Sequence, residues 1–273
     1  MLPKKLKIQP QPVDDPCDPR VADFFALNDP DLRRAVERDS GLFVAEGALV
    51  IRQLLQSPYR VRAVLVTRHG LAALEDALDA VEAPVYTVSQ ALMTSIAGFR
   101  FHRGALASAD RPPHPDLDDV VAGAGLVLMA EGVSDNENLG ALFRNAGAFG
   151  VAGVVLDRSC ADPLYRRSLR VSMGQVVRLP FTRVPDAVEA IRRLQGLGFE
   201  VLALTPSADA EDVRTVDPGG PRVLLVGAEG PGLTAGALAA ADRRLKIAMR
   251  SSVDSLNVAT AAAVALHHLA ALA

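Results

Sequence analysis

Cysteine is nearly absent from this 273-residue chain: Cys17 and Cys160 are its two thiols, too few for a disulfide framework or a Cys-rich metal cluster, and no CxxC spacing occurs. Such usage fits a reducing compartment, with Cys17 as a tail thiol and Cys160 as a small apolar residue. Nor does any run approach the roughly 18 to 20 uninterrupted apolar residues of a membrane span. Lys4, Lys5 and Lys7 lead into Gln and Pro rather than into an apolar signal core. The expectation is a soluble, cytoplasmic protein with no membrane partner and no metal. Lysine is scarce too: of 29 basic residues four are lysines and 25 arginines, against 32 acids, for a net charge of −3. This excludes a polycation that holds nucleic acid by bulk charge but leaves open recognition by local clusters. Abundant arginine beside abundant alanine also reads as a compositional bias.

What is present is a globular composition, 49% apolar and 22% charged, enough to bury a sizeable core. Residues 1–19 carry Pro3, Pro10, Pro12, Pro16 and Pro19 and read as a mobile tail. A helical pattern runs from Pro30 to Arg38. Phe43–Ala45 reads as a strand, and a helix to Leu55 follows with Leu49, Val50 and Leu54 on one face. Strands at Val61–Thr67 and Val85–Val88 flank a helix at Leu71–Val81, which makes a small α/β domain over 20–111. Pro112, Pro113 and Pro115 mark a linker. In 118–273 apolar strands at Leu126–Ala130, Val151–Leu156, Val201–Leu204 and Arg222–Val226 alternate with helices at Gly140–Phe149, Tyr165–Ser172 and Asp186–Leu197. Phe181 and Val184 flank a turn, and a last helix spans Val258–Leu272. Continuous apolar strands between helices indicate a parallel sheet covered on both faces.

Ligands of open α/β sheets bind beyond the carboxyl ends of strands, so the segments after each strand matter most. Three stand out: EGVSDNENLGALFR (Glu131–Arg144), GAEGPGL (Gly227–Leu233) and IAMRSSVDSLNV (Ile247–Val258). In the first, Asn138 and Gly140 are candidates for a helix cap, and Arg144 reads by default as a solvated or salt-bridged arginine. Three glycines in the second permit close backbone approach to a ligand or merely a tight loop. In the third, Ser255 and Asn257 either cap the final helix or point at whatever the glycine loop holds. The chain lacks GxxxxGK[ST], GxGxxG after its first strand, and GxSxG, which argues against a phosphate loop, a dinucleotide fold and a serine hydrolase. His267 and His268 read as surface or interface residues.

Together, in this order, the segments resemble the SpoU (TrmH-like) branch of the SPOUT RNA methyltransferases. Asn138, Gly140 and Arg144 meet an NxG(x)3R pattern; Gly227, Glu229, Gly230, Gly232 and Leu233 meet GxEGxGL; Ser255 to Val258 meet SLNV. Residues 20–111 are similar to an L30e-like substrate-binding domain through Phe43–Leu55 and His102-Arg103-Gly104. One departure is Ala248, where family members carry proline after the isoleucine.

The resemblance implies an α/β fold: a parallel-sheet SPOUT domain with a deep trefoil knot, preceded by the L30e-like domain. It implies a homodimer that binds S-adenosylmethionine and methylates a ribose 2′-hydroxyl of RNA, with ribosomal RNA ahead of transfer RNA. Gly227, Glu229, Gly230, Gly232, Ile247, Met249 and Leu256 would form the cofactor pocket; Asn138, Arg144, Glu229, Ser255 and Asn257 would be catalytic. The family's mechanism gives the arginine a base role, but a guanidinium keeps its proton and is better suited to holding phosphate and developing negative charge. Arg100, His102 and Arg103, interleaved with Phe99 and Phe101, would bind RNA by phosphate contact and stacking, and Arg166, Arg167 and Arg170 offer a second patch in the catalytic domain. Rival readings are an inactive RNA-binding homologue and a dinucleotide-binding enzyme.

Overall fold

The computed structural model describes residues 9–29, 37, 39–250 and 252–270. The helical pattern at Pro30–Arg38, Glu37 apart, lies outside them. Two compact units form: one runs to Pro113 and takes in Leu164–Arg178, and the other comprises His114–Pro163 and everything from Leu179 on.

The first unit holds β1 (Gln11–Pro12), β2 (Leu42–Glu46), α1 (Ala48–Leu55), β3 (Val61–Val66), α2 (Arg68–Leu78), β4 (Val85–Thr87), α3 (Gln90–Ala97) and β5 (Ala105–Asp110). Its sheet order is β1-β4-β3-β5-β2, with β1, β4 and β3 parallel and β5 antiparallel to both its neighbours. Thr67 and Ser89 cap α2 and α3 by accepting from the amides of Gly70 and Leu92, which supplies partners for helix-end donors. One expectation fails here. Gln11 and Pro12 are not mobile but pair with Tyr86 and Thr87, and Val13 is buried in the core with Val21 and Phe24. Proline at a sheet edge costs no ladder bond, so a proline-rich stretch can still dock there. On α1 the buried face is Val50, Ile51 and Leu54, whereas Leu49 is exposed.

The second unit holds α4 (Leu117–Val121), β6 (Leu126–Glu131), α5 (Asn136–Ala148) and β7 (Gly153–Asp157). Beyond β7 lies α6 (Arg166–Val171), which belongs to the first unit, where it packs on β2. The second unit resumes with β8 (Phe181–Val184), α7 (Ala187–Gly196), β9 (Glu200–Leu204), β10 (Glu211–Asp212), β11 (Arg222–Gly227), α8 (Ala235–Ala240), β12 (Arg243–Lys246) and α9 (Val258–Leu269). These strands form a parallel seven-stranded sheet in the order β10-β12-β9-β11-β6-β7-β8. Alternate residues of neighbouring strands (Val127 and Met129, Val201 and Ala203, Val223 and Leu225) share one cluster with Val120 of α4, Ile191 and Leu194 of α7 and Ala237 of α8. That is the period of two expected of a sheet face. The opposite face of β11 meets α9, which also packs on α5. Phe181–Val184 is a strand and not a turn: it pairs with Val154 through Asp157. Register places Gly227 level with Glu131 and Leu245 level with Leu204, so the ends of β6, β11, β9 and β12 open onto one region.

Candidate active site

The three segments after β6, β11 and β12 meet at one side chain, Asn257. Its Oδ1 accepts from the amides of Ala259 (3.0 Å) and Thr260 (3.2 Å), which caps α9. An oxygen committed to two backbone donors leaves the amide nitrogen facing the other way. That Nδ2 donates to Asn138 Oδ1 (2.7 Å) and to Glu229 Oε1 (2.6 Å). The cap therefore sets the polarity of the whole junction: with Asn138 Oδ1 spent as an acceptor, Asn138 turns its N–H donors toward its remaining surroundings, and Glu229 keeps Oε2 as an acceptor.

Each arm of the junction has its own brace. Asp135 caps α5, accepting from Glu137 and Asn138 amides at 2.9 Å. Neither Asn138 nor Gly140 is the cap, contrary to expectation, and Asn138 is freed for the junction because Asp135 does that work. Glu131, buried at the end of β6, accepts from the Thr234 amide (2.9 Å) and hydroxyl (2.8 Å), which ties the far end of the glycine loop to the sheet. Within the loop Gly227 has no room for a side chain: a Cβ there would lie 2.4 Å from Gly232 C and Leu233 N. Gly230 and Gly232 adopt φ of 84° and 73°, and the Gly232 amide returns to Ala228 O at 3.0 Å.

A pocket of about 410 Å³ lies against this loop. It is lined by Leu204, Thr205 and Pro206 after β9, by Val226 to Gly230 and Gly232, by Ile247 and Met249, and by Ser255 to Val258 with Ala261. Its lining contains Glu229 but no lysine, arginine or histidine. Apolar side chains with exposed backbone edges suit a flat heterocycle, and one carboxylate without cations suits a ligand that carries positive rather than negative charge. A pyrophosphate-bearing dinucleotide would find no cationic side chain here.

On the neighbouring side of the sheet Asp157 accepts from Gly132 N (3.0 Å), from Cys160 N (3.0 Å) and from the Ser159 hydroxyl. Burial works to raise its carboxyl, but these donors outweigh it and hold the group below its ordinary value. Burial, helped by Asp157, pushes the Cys160 thiol up to about 12.

The SpoU rRNA Methylase family matches residues 125–267, more than half of the chain. A curated relative, an uncharacterized tRNA/rRNA methyltransferase of Mycobacterium tuberculosis, is 46% identical over 262 residues, 94% of this chain and 90% of the relative. The chain belongs to the SpoU family. Another relative, the 23S rRNA (guanosine-2'-O-)-methyltransferase RlmB of Vibrio vulnificus, is 32% identical over 170 residues, 60% of this chain and 68% of its own. Among solved structures, an AdoMet-bound rRNA methyltransferase from Sinorhizobium meliloti aligns with a TM-score of 0.80 at 26% identity, covering 95% of this chain and 97% of that one.

Gly227, Glu229, Gly230, Gly232, Ile247, Met249 and Leu256 all line the pocket of this SpoU chain, as do Ser255 and Asn257. Asn138 reaches the site through Asn257. Arg144 is not in the lining; it is exposed on α5 and makes no hydrogen bond or ion pair among the described residues. Arg100, His102 and Arg103 are exposed in the first unit, but Phe101 is 1% exposed in its core, and the Arg166 guanidinium lies 5.4 Å over Phe99. The expected stacking surface is therefore spent on packing. Arg166 and Arg170 group with the first unit rather than with the catalytic segment around them. Of the two histidines, His268 is half-buried with Nε2 2.8 Å from Val216 O, and His267 meets Phe149 edge-on. Sequence reading placed Glu131 at the head of its first segment without giving it a role, and missed Thr205, Pro206 and Thr234. The strand-end rule that located the three segments would also have found Thr205 and Pro206.

Proposed function

We propose that the pocket holds S-adenosylmethionine and that the protein transfers a methyl group to a ribose 2′-hydroxyl of RNA, with ribosomal RNA as the substrate class. The observation that carries this reading is the Asn257 junction, which joins three sequence-distant segments at the rim of a cation-free pocket. Ile247, Met249, Leu256 and Pro206 would face the adenine, with the backbone of Gly227 to Gly230 at its edges. When bound, the cofactor supplies an activated methyl group.

The chain's own residues orient the acceptor. Asn138 donates to a ribose oxygen, Ser255 orients the 2′-hydroxyl, Glu229 Oε2 accepts the proton which that hydroxyl loses, and Asn257 fixes both neighbours. Alignment of this kind can account for about 7 to 11 kcal/mol of a barrier. Arg144, with its fork of donors unspent, holds the adjoining phosphate and stabilises negative charge on the ribose oxygen. The exposed faces of α5 and α9, with Arg144, Val264 and His267, support a homodimer in which a second copy brings further groups to the site. The contact of Asn257, at the start of α9, with Glu229 of the glycine loop supports the trefoil knot. The first unit, through residues 20–111, would be the L30e-like RNA-selecting domain. Among the described residues no helix is long and apolar enough to cross a membrane.

The test is transfer of radiolabelled methyl from S-adenosylmethionine to RNA from a strain lacking the gene, followed by mapping of 2′-O-methyl sites. Label in one ribosomal nucleotide is expected. Label confined to transfer RNA would change the substrate class, and no label in any RNA would refute the activity.

A further inference from the structure

Glu46, at the end of β2, is 4% exposed and gathers three arginines from two distant segments of the first unit. Arg166 Nη1 sits 3.0 Å from Oε2, and its guanidinium also donates to Leu27 O. Arg103 Nε lies 2.9 Å from Oε1, and Arg170 Nη1 lies 3.8 Å from the same oxygen. Burying a carboxylate demands a partner, and Arg166 meets that demand. The other two guanidiniums then share one oxygen, and their mutual repulsion brings no further neutralisation. Among the other described ion pairs no carboxylate gathers more than two arginines, as Asp110 does with Arg60 and Arg62 and Glu200 with Arg222 and Arg243, and several pairs are one to one, as Arg52 with Asp76, Arg193 with Asp118 and Arg214 with Asp212.

The surplus pair is also the accessible one: the side chains of Arg103 and Arg170 are 51% and 35% exposed, against 11% for Arg166. Arg103 spends Nε on Glu46 and keeps its terminal nitrogens, and Arg170 at 3.8 Å is beyond hydrogen-bond distance. Gly47, at φ of 90°, lies beneath Arg103, with the position of a Cβ 3.5 Å from Arg103 Cδ. Two forks oriented by one buried acid, with donors left over, form a preassembled anion grip.

We propose that Arg103 and Arg170, positioned by Glu46, grip the phosphodiester backbone of the RNA substrate at a surface assembled from the His102-Arg103-Gly104 turn and α6. The surface shares no residue with the lining of the methyl-transfer pocket, and the proposal rests on the reading of this protein as an RNA methyltransferase. Neither segment makes the grip alone, since Arg103 and Arg170 come together only when α6 is seated on β2. Glu46 is a positioning residue; it does not touch the RNA.

Fluorescence anisotropy of a labelled ribosomal RNA transcript, titrated with full-length protein across about 50 to 300 mM KCl, reads the number of phosphates neutralised. The double variant Arg103→Gln/Arg170→Gln is expected to flatten the plot of log K against log salt by about 1.4 to 1.8, two contacts at roughly 0.7 to 0.9 each. Arg103→Gln alone should give about half of that. Arg103→Lys/Arg170→Lys, which keeps the charge, should keep most of the slope, and Arg52→Gln, from a one-to-one pair, should leave it unchanged. A wild-type slope in the double variant, with its melting temperature intact, overturns the grip while leaving the methyltransferase reading in place. Failure of the wild-type protein to bind or methylate any RNA overturns that reading instead.

Discussion

Asn257 and Glu46 each draw together parts of the chain more than a hundred residues apart, and they do so by opposite means. Around Asn257 two amides and one carboxylate satisfy one another at 2.6 to 3.2 Å, with every polar atom of the central side chain assigned. Around Glu46 one carboxylate faces three cations, and donors remain. A junction whose central side chain is uncharged and fully hydrogen-bonded holds geometry and responds weakly to salt. An unsaturated charged cluster holds a reserve of attraction that salt can screen. The difference matches the roles proposed for the two units: to keep reacting atoms in line, or to take hold of a polyanion before the chemistry.

The comparison can be broken at several points. Arg144→Ala removes a cation of α5 that has no partner among the described residues; turnover should fall by about 10³-fold while calorimetry shows cofactor affinity nearly unchanged. A parallel loss of cofactor affinity would place Arg144 in the pocket instead. Asn257→Asp tests the junction's polarity. The carboxylate still caps α9, so the melting temperature should stay near that of the wild type, yet it cannot donate to Asn138 and it repels Glu229, so turnover should drop by about 10²-fold. Adding Glu229→Gln should recover part of that loss, because the new amide donates where the old acid repelled. Asn257→Ala, by contrast, should also lower stability by about 1 kcal/mol, visible in thermal unfolding.

Gly227→Ala would press a methyl group onto Gly232 and Leu233 and shift the loop. An overpacking cost of about 1 to 3 kcal/mol should appear as about tenfold weaker S-adenosylmethionine binding by calorimetry. Raising KCl from about 50 to 200 mM should weaken RNA binding by about tenfold through Arg103 and Arg170 alone, with cofactor affinity changing less than about twofold. The smallest effect serves as a control. Iodoacetamide at pH 8 should label exposed Cys17 and spare Cys160, whose buried thiol stays protonated until about 12, and mass spectrometry reads the count.

Much of the second unit was legible because buried parallel strands read as apolar runs, and the residues after them fall at the pocket by the geometry of such sheets. Strands that are short or charged left no such mark: Arg243–Lys246 looks like surface, and Phe181–Val184 is too brief to distinguish from a turn. The cap of α5 was obscured by crowding, since Ser134, Asp135, Asn136 and Asn138 are all good cap residues and only the backbone decides among them. Gln11–Pro12 was hidden by its prolines. The Glu46 cluster was out of reach for a different reason: its arginines read as two separate basic patches, one at Arg103 and one at Arg166 and Arg170, and nothing in the sequence joins them across the proline-rich linker.

The placement of Leu164–Arg178 also bears on how the protein is made. The first unit is discontinuous in the chain, so a ribosome that has released everything through Pro113 has not yet released all of it. Buried Ser168 and Leu169, and the arginines beside them, arrive about fifty residues later, after β6, α5 and β7 of the other unit have emerged. The amino-terminal half must therefore wait with β2 uncovered, and the two units mature as interleaved pieces rather than one after the other.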